Sequence, residues 1–170
     1  MIVIKIDMII LDVDGTLTDC TIFYSDNNIE TKAFSAKDGA ILGPLNHLGI
    51  EIVFLTGRKS EAVARRARDL NAEAIQGVAV KAPVLGELLA KRNVNPKHCA
   101  YIGDDLNDYA AMKMCGFKAC PSDAAEEIRD LCDYVSPYRG GHGAVRDICE
   151  HILKQTGKYD DFLNHYGVDC

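Results

Sequence analysis

The sequence has no tryptophan, and only 5 of its 170 residues are proline. It has no apolar run of the roughly 20 residues that a membrane-spanning helix needs. Its most apolar stretch, Met1 to Leu11, is broken by Lys5 and Asp7 and runs into acidic residues without a small-residue cleavage site. That stretch is expected to be a buried strand, with no membrane partner. Excess positive charge is also missing. Lys and Arg number 19 against 25 Asp and Glu, for a net charge of −6, which excludes the broad basic field of a nucleic-acid binder. The seven cysteines are odd in number and include no C-x-x-C pair, so neither a zinc site nor a disulfide framework is expected. Reduced thiols in a cytoplasmic protein are expected instead. Internal repeats, low-complexity segments and a recognisable linker are absent as well.

What remains suits one core: 48% hydrophobic and 26% charged residues over a single-domain length. Ile6 to Leu11 is β-rich and ends in acidic residues and Gly15. Thr21–Tyr24 and Ile29–Phe34 flank Asp26-Asn27-Asn28, which predicts a hairpin over about 21–34. Asp38 is expected to cap a helix that stops before Gly49. Further strands are expected at Ile52–Leu55, Ala74–Ile75, Cys99–Ile102, Phe117–Cys120 and Tyr134–Val135. Between and after them come helices from Ser60 to about Leu70, Val80 to Arg92, Leu106 to Cys115, Ala124 to Cys132 and Ala144 to Gln155. This alternation predicts an α/β fold, a Rossmann-like and mainly parallel sheet with helices on both faces. One domain is expected over residues 1–157, with 158–170 as a C-terminal tail.

Ligands of such sheets bind outside the carboxyl ends of the strands. Three expected strand ends carry reactive residues: Asp12-Val13-Asp14-Gly15-Thr16, Thr56-Gly57-Arg58, and Gly103-Asp104-Asp105-Leu106-Asn107-Asp108. Lys81 begins the helix between the last two. Asp12 and Asp14, two apart, project to one side of an extended backbone. Their mutual repulsion calls for a hard divalent cation such as Mg²⁺, which takes carboxylates together with phosphate and water. An aspartate can attack phosphorus, while a second carboxyl protonates the leaving alkoxide and later activates water. Asp12 and Asp14 fit those two tasks. Thr56 offers donors to a phosphoryl oxygen and Lys81 offers positive charge. Asp104 is expected to hold the metal, with Asp105 and Asp108 as further ligands or orienting groups.

These segments, in this order, resemble the haloacid dehalogenase-like phosphatase superfamily. The resemblance implies Asp12 as nucleophile, Asp14 as acid/base, and metal contacts from Asp12, the Asp14 backbone carbonyl and Asp104. The 42 positions from Asp14 to Thr56 and the 25 from Thr56 to Lys81 leave no room for a separate cap domain. Within the superfamily the chain is similar to the capless branch that contains 3-deoxy-D-manno-octulosonate 8-phosphate phosphatase. The shared segments include Phe34-Ser35-Ala36-Lys37-Asp38-Gly39, Thr56-Gly57-Arg58-Lys59, Tyr101-Ile102-Gly103-Asp104-Asp105 and Gly140-Gly141-His142-Gly143-Ala144-Val145-Arg146. The branch implies a homotetramer in which hairpins meet and neighbours close each site. It also implies an eight- or nine-carbon keto sugar acid phosphate as substrate, with Lys37, Arg58 and Arg66 as candidate anion contacts. Two positions depart from it: His142 stands where arginine is frequent, and Cys20 where glycine is.

Two other readings fit parts of the pattern. A phosphatase for a nine-carbon sialic-acid-type sugar phosphate would use the same residues. A receiver-like phospho-aspartate signalling module would also place acids and lysine on an α/β sheet, but it has no task for the second acid of Asp12-x-Asp14. Strand-end acids taken singly also serve as helix caps.

Overall fold

Four fully buried residues, Met8–Leu11, form β1 near the middle of a six-stranded sheet. Their side chains alternate between two apolar layers: Ile9 and Leu11 enter one, Met8 and Ile10 the other. A parallel strand covered on both faces requires such an unbroken apolar run. The computed structural model describes residues 4–27 and 29–168. Asn28 of the expected turn and Cys170 lie outside them.

β1 pairs with β4 (Glu51–Thr56) on one side and β6 (Cys99–Ile102) on the other. β5 (Glu73–Gln76) continues beyond β4, while β7 (Phe117–Cys120) and β8 (Tyr134–Val135) continue beyond β6. Every pair is parallel. The chain runs outward from β1 through β4 and β5, then crosses back to β6, so the order reverses between β1 and β6. A crevice for a ligand is expected at that switch point.

One face carries α1 (Ala36–Leu45), α2 (Glu61–Asp69), α6 (Ala144–Gln155) and α7 (Tyr159–His165), anchored by Ile41, Val63, Ile148 and Phe162. The other carries α3 (Lys81–Arg92), α4 (Tyr109–Met112) and α5 (Glu126–Leu131), through Leu85, Met112 and Ile128. The expected hairpin is present as a separate antiparallel ribbon, β2 (Phe23–Tyr24) and β3 (Glu30–Thr31).

Three local expectations change. Ser35, not Asp38, caps α1: its hydroxyl accepts the Asp38 N–H at 3.3 Å. Asp38 is instead buried in the first turn, where it accepts the Arg146 backbone N–H of α6 at 2.9 Å. The helix expected from Leu106 to Cys115 shrinks to α4, because its first residues are folded into the acidic loop. The segment after Gly157 is no loose tail, since it forms α7 and buries Phe162. Pro44, inside α1, has no N–H for the Ala40 carbonyl. The Tyr166 hydroxyl, just after α7, donates to that carbonyl instead.

Candidate active site

The backbone N–H of Asp12 donates to the Ile102 carbonyl at 2.9 Å, so the ends of β1 and β6 stay in register past the sheet. The chain then turns tightly, with the N–H groups of Thr16, Leu17 and Thr18 converging on the Val13 carbonyl. Gly15, at φ +97°, is where the two acidic loops meet. A Cβ there would lie 1.9 Å from an Asp104 carboxylate oxygen. Thr16 donates its hydroxyl to Asp104 Oδ1 at 3.2 Å. Behind this turn lies the Gly140-Gly141 segment. Gly141 N–H donates to the Thr16 carbonyl at 3.1 Å, and a Cβ on Gly140 would meet the Gly15 carbonyl oxygen at 1.8 Å.

Carboxylate oxygens of Asp12, Asp104 and Asp108 lie within 4.8 Å of one another, the one such group of potential metal ligands among the described residues. A single buried ammonium sits among them: Lys81 Nζ lies 2.5 Å from Asp12 Oδ1 and 2.7 Å from Asp108 Oδ1. Asp108 is further engaged by the Tyr101 hydroxyl at 2.6 Å and the Asp104 and Asp105 N–H groups at 3.2 and 3.5 Å. With its oxygens so occupied, Asp108 serves to hold the loop and Lys81. Asp12 and Asp104 are left as the better cation ligands.

Burial, together with the charge of Asp108, pushes the Asp12 carboxyl up to about 6 against the opposing pull of Lys81. Burial and the charges of Asp12 and Asp108 push Asp104 up to about 8. Burial disfavours the Lys81 ammonium, but Asp12 and Asp108 outweigh it and hold its pKa above the ordinary lysine value. Three carboxylates and one ammonium leave an excess of negative charge on hard oxygen donors. That donor set fits a divalent cation of the Mg²⁺ type.

Thr56 ends β4 with its side chain buried, and its Oγ1 accepts the Arg58 N–H at 3.4 Å. Asp14 faces the hairpin. It is ion-paired with Lys32, and Arg58 Nε lies 3.9 Å from its other oxygen. Arg58 also reaches Tyr24 Oη at 2.6 Å and Glu30 at 2.7 Å.

The sequence reading is adjusted at two residues, Asp105 and Arg66. Asp105 is exposed and accepts the Leu106 N–H at 2.7 Å, which places its carboxylate in a local turn and outside the acidic group. Arg66 donates to the Ser35 carbonyl at 3.0 Å and lies over the Phe34 ring, bracing α2 on the start of α1. Lys37 is exposed at the rim of an open cleft of about 350 Å³ with Asp19, Phe34 and His142. Two residues were missed. Tyr101 lies inside an apolar strand whose pattern signals only burial. Lys32 has the sequence context of an ordinary surface lysine.

A family model described as haloacid dehalogenase-like hydrolase matches residues 72–148. The 3-deoxy-D-manno-octulosonate 8-phosphate phosphatase KdsC of Salmonella typhi is 37% identical over 158 residues, covering 92% of this chain and 84% of its own. The crystal structure of 3-deoxy-D-manno-octulosonate 8-phosphate phosphatase from Moraxella catarrhalis, in complex with magnesium, phosphate and KDO, superposes with a TM-score of 0.91. It is 41% identical, over 95% of this chain and 93% of that one. The cobalt-bound deoxy-D-mannose-octulosonate 8-phosphate phosphatase of Haemophilus influenzae gives 0.89 at 33% identity, over 96% of each chain.

Proposed function

This chain belongs to the haloacid dehalogenase-like hydrolases and is a phosphatase, and on that premise we propose that it hydrolyses 3-deoxy-D-manno-octulosonate 8-phosphate with Mg²⁺. The observation that carries the chemistry is the cluster of buried Asp12 and Asp108 with half-buried Asp104, in which one ammonium, Lys81, pairs with Asp12 and Asp108. The substrate follows from similarity across nearly the whole chain to the Moraxella catarrhalis enzyme, whose crystals hold magnesium, phosphate and KDO.

An Asp12 carboxylate oxygen attacks phosphorus, and the bond from phosphorus to the sugar oxygen breaks. Asp14 gives its proton to that departing oxygen. Asp14 then takes a proton from water as the water oxygen attacks the aspartyl-phosphate, and the bond from phosphorus to Asp12 breaks to release inorganic phosphate. Lys81 counters the charge of Asp12 and the phosphoryl oxygens, and Thr56 donates to one of those oxygens. Asp12, Asp104 and the Asp14 backbone carbonyl would hold Mg²⁺, which when bound offsets the negative charge gathered around phosphorus. Arg58, on the Asp14 side, is the better placed of the two arginines to meet a sugar carboxylate, and Lys37 is a second anion contact at the cleft rim.

The working form is a homotetramer. The ribbon of β2 and β3 stands outside the main sheet and exposes Phe23, Tyr24 and Ile29, a surface that suits hairpins packing on one another. A cytoplasmic location suits the six free cysteines among the described residues. A phosphate-release screen tests the substrate. The eight-carbon sugar-acid phosphate should be preferred over its nine-carbon relatives and over hexose phosphates, and preference for a hexose phosphate would refute the assignment. A fully active monomer by light scattering would remove the tetramer.

A further inference from the structure

Lys32 has a side chain with no exposed surface, although a lysine is among the costliest residues to bury. Its ammonium is compensated by Asp14 Oδ1 and, at 3.2 Å, by Glu30 Oε1. On the far side of both acids lies Arg58, with Nη2 at 2.7 Å from Glu30 Oε2 and Nε at 3.9 Å from Asp14 Oδ2. Two cations and two anions thus alternate in a closed ring. Lys32 holds Asp14 Oδ1, which restrains rotation about its side-chain bonds, while Oδ2, 3.9 Å from Arg58 Nε and beyond hydrogen-bond distance, is left to carry the proton. A carboxyl that must reach a departing oxygen in one step, and a water in the next, benefits from such restraint, because small displacements weaken proton transfer steeply.

We infer that Lys32 is a positioning residue for the reaction, acting through Asp14 to hold that carboxyl where it protonates the departing oxygen. This inference rests on the aspartyl-phosphate reading above. Lys32 has its ion pairs with Asp14 and Glu30 and none with the acids around Lys81, so its effect on the reaction passes through Asp14. A purely structural lysine would pin the hairpin and affect every substrate alike. A positioning lysine affects only substrates whose leaving group needs a proton.

The test compares kcat/KM, which reports events through formation of the aspartyl-phosphate, on two substrates. One is 3-deoxy-D-manno-octulosonate 8-phosphate, which departs as an alkoxide. The other is p-nitrophenyl phosphate, which departs as a stable phenolate. Lys32→Met should lower kcat/KM on the sugar substrate by about 100-fold, the scale of a lost general acid, and on p-nitrophenyl phosphate by less than about threefold. KM for the sugar should stay within about threefold, and Lys32→Arg should recover at least about tenfold of the loss. Equal losses on both substrates, or no loss on either, would overturn the inference while leaving the phosphatase reading intact. A wild-type protein that releases phosphate from neither would sink both. If Lys32→Met does not fold by circular dichroism, Lys32→Gln is put to the same comparison, with the same selective loss expected and the same equal loss overturning it.

Discussion

Replacing Lys81 by Met removes the ammonium that pairs with the buried carboxylates Asp12 and Asp108 and keeps a similar side-chain length. The cost has two parts. At pH 7 the wild-type Asp12, at about 6, is ionised. Without Lys81 it must stay protonated, and holding a proton for the one pH unit from 6 to 7 costs about 1.4 kcal/mol. Asp108 also loses a charge-assisted hydrogen bond, worth about 1.5–3 kcal/mol. The sum, about 3–4 kcal/mol, falls within the range for stripping one partner from a buried ion pair. The sign of the pH dependence follows from linkage. A carboxyl whose folded pKa lies above its ordinary 3.8 binds more protons folded than unfolded, so it favours the folded state below that range and loses this advantage as pH rises. At pH 5 Asp12 carries its proton in both proteins, and the first part vanishes. Urea denaturation in chelator should therefore show Lys81→Met destabilised by about 3–4 kcal/mol at pH 7, and by about 1.4 kcal/mol less at pH 5. A loss below about 1 kcal/mol at pH 7, or a gap that widens in acid, would refute the electrostatic account.

Other perturbations follow from single features. Asp104 carries a proton up to about pH 8 that a cation must displace, so Mg²⁺ affinity measured by calorimetry should rise by about tenfold per pH unit between pH 6 and 8; a flat profile would exclude Asp104 as a ligand. Cys20 is exposed at φ +69°, so Cys20→Gly should relieve left-handed strain of about 1 kcal/mol and raise Tm by about 2–4 °C in thermal unfolding. Phe162→Ala empties a buried site shared with α6, and should cost about 3–5 kcal/mol in urea denaturation; a neutral result would return the last helix to the status of a tail. Asp12→Asn should abolish phosphate release while the far-ultraviolet circular dichroism stays unchanged.

The acidic site was legible because its parts are local. Each reactive residue directly follows an apolar run, and a parallel sheet gathers the carboxyl ends of its strands at one edge. The sequence therefore put Asp12, Asp104 and Asp108 at the carboxyl ends of expected strands, and the structure brings their carboxylate oxygens within 4.8 Å of one another. The same reading misjudged Asp105, because only the path of the turn decides which of two adjacent acids points inward. The ring around Asp14 was not legible for a different reason. Lys32 lies 18 positions along the chain from Asp14, and their pairing depends on how a two-stranded ribbon folds back. The segment expected over Ile29–Phe34 forms a strand only at Glu30–Thr31, so alternation along it gives no guide to Lys32, which lies just past that strand.

The same division runs through the helices. Asp38 has the chemistry of an N-cap, but α1 starts before it, where the Ser35 hydroxyl accepts the N–H of Asp38 itself. Once displaced from that task, the buried carboxylate needed another donor, and found it at the start of α6, where Gly143 has no side chain to cap with. Pro44 makes the complementary case. From the sequence alone, a proline inside a helix signals a carbonyl four residues back without its usual partner. The donor is a tyrosine hydroxyl 126 positions away, on the segment expected to be a tail. Local chemistry thus reveals which groups need a partner, while the identity of the partner is fixed only by packing. A segment with no readable pattern of its own can be held in place by a need that another segment creates.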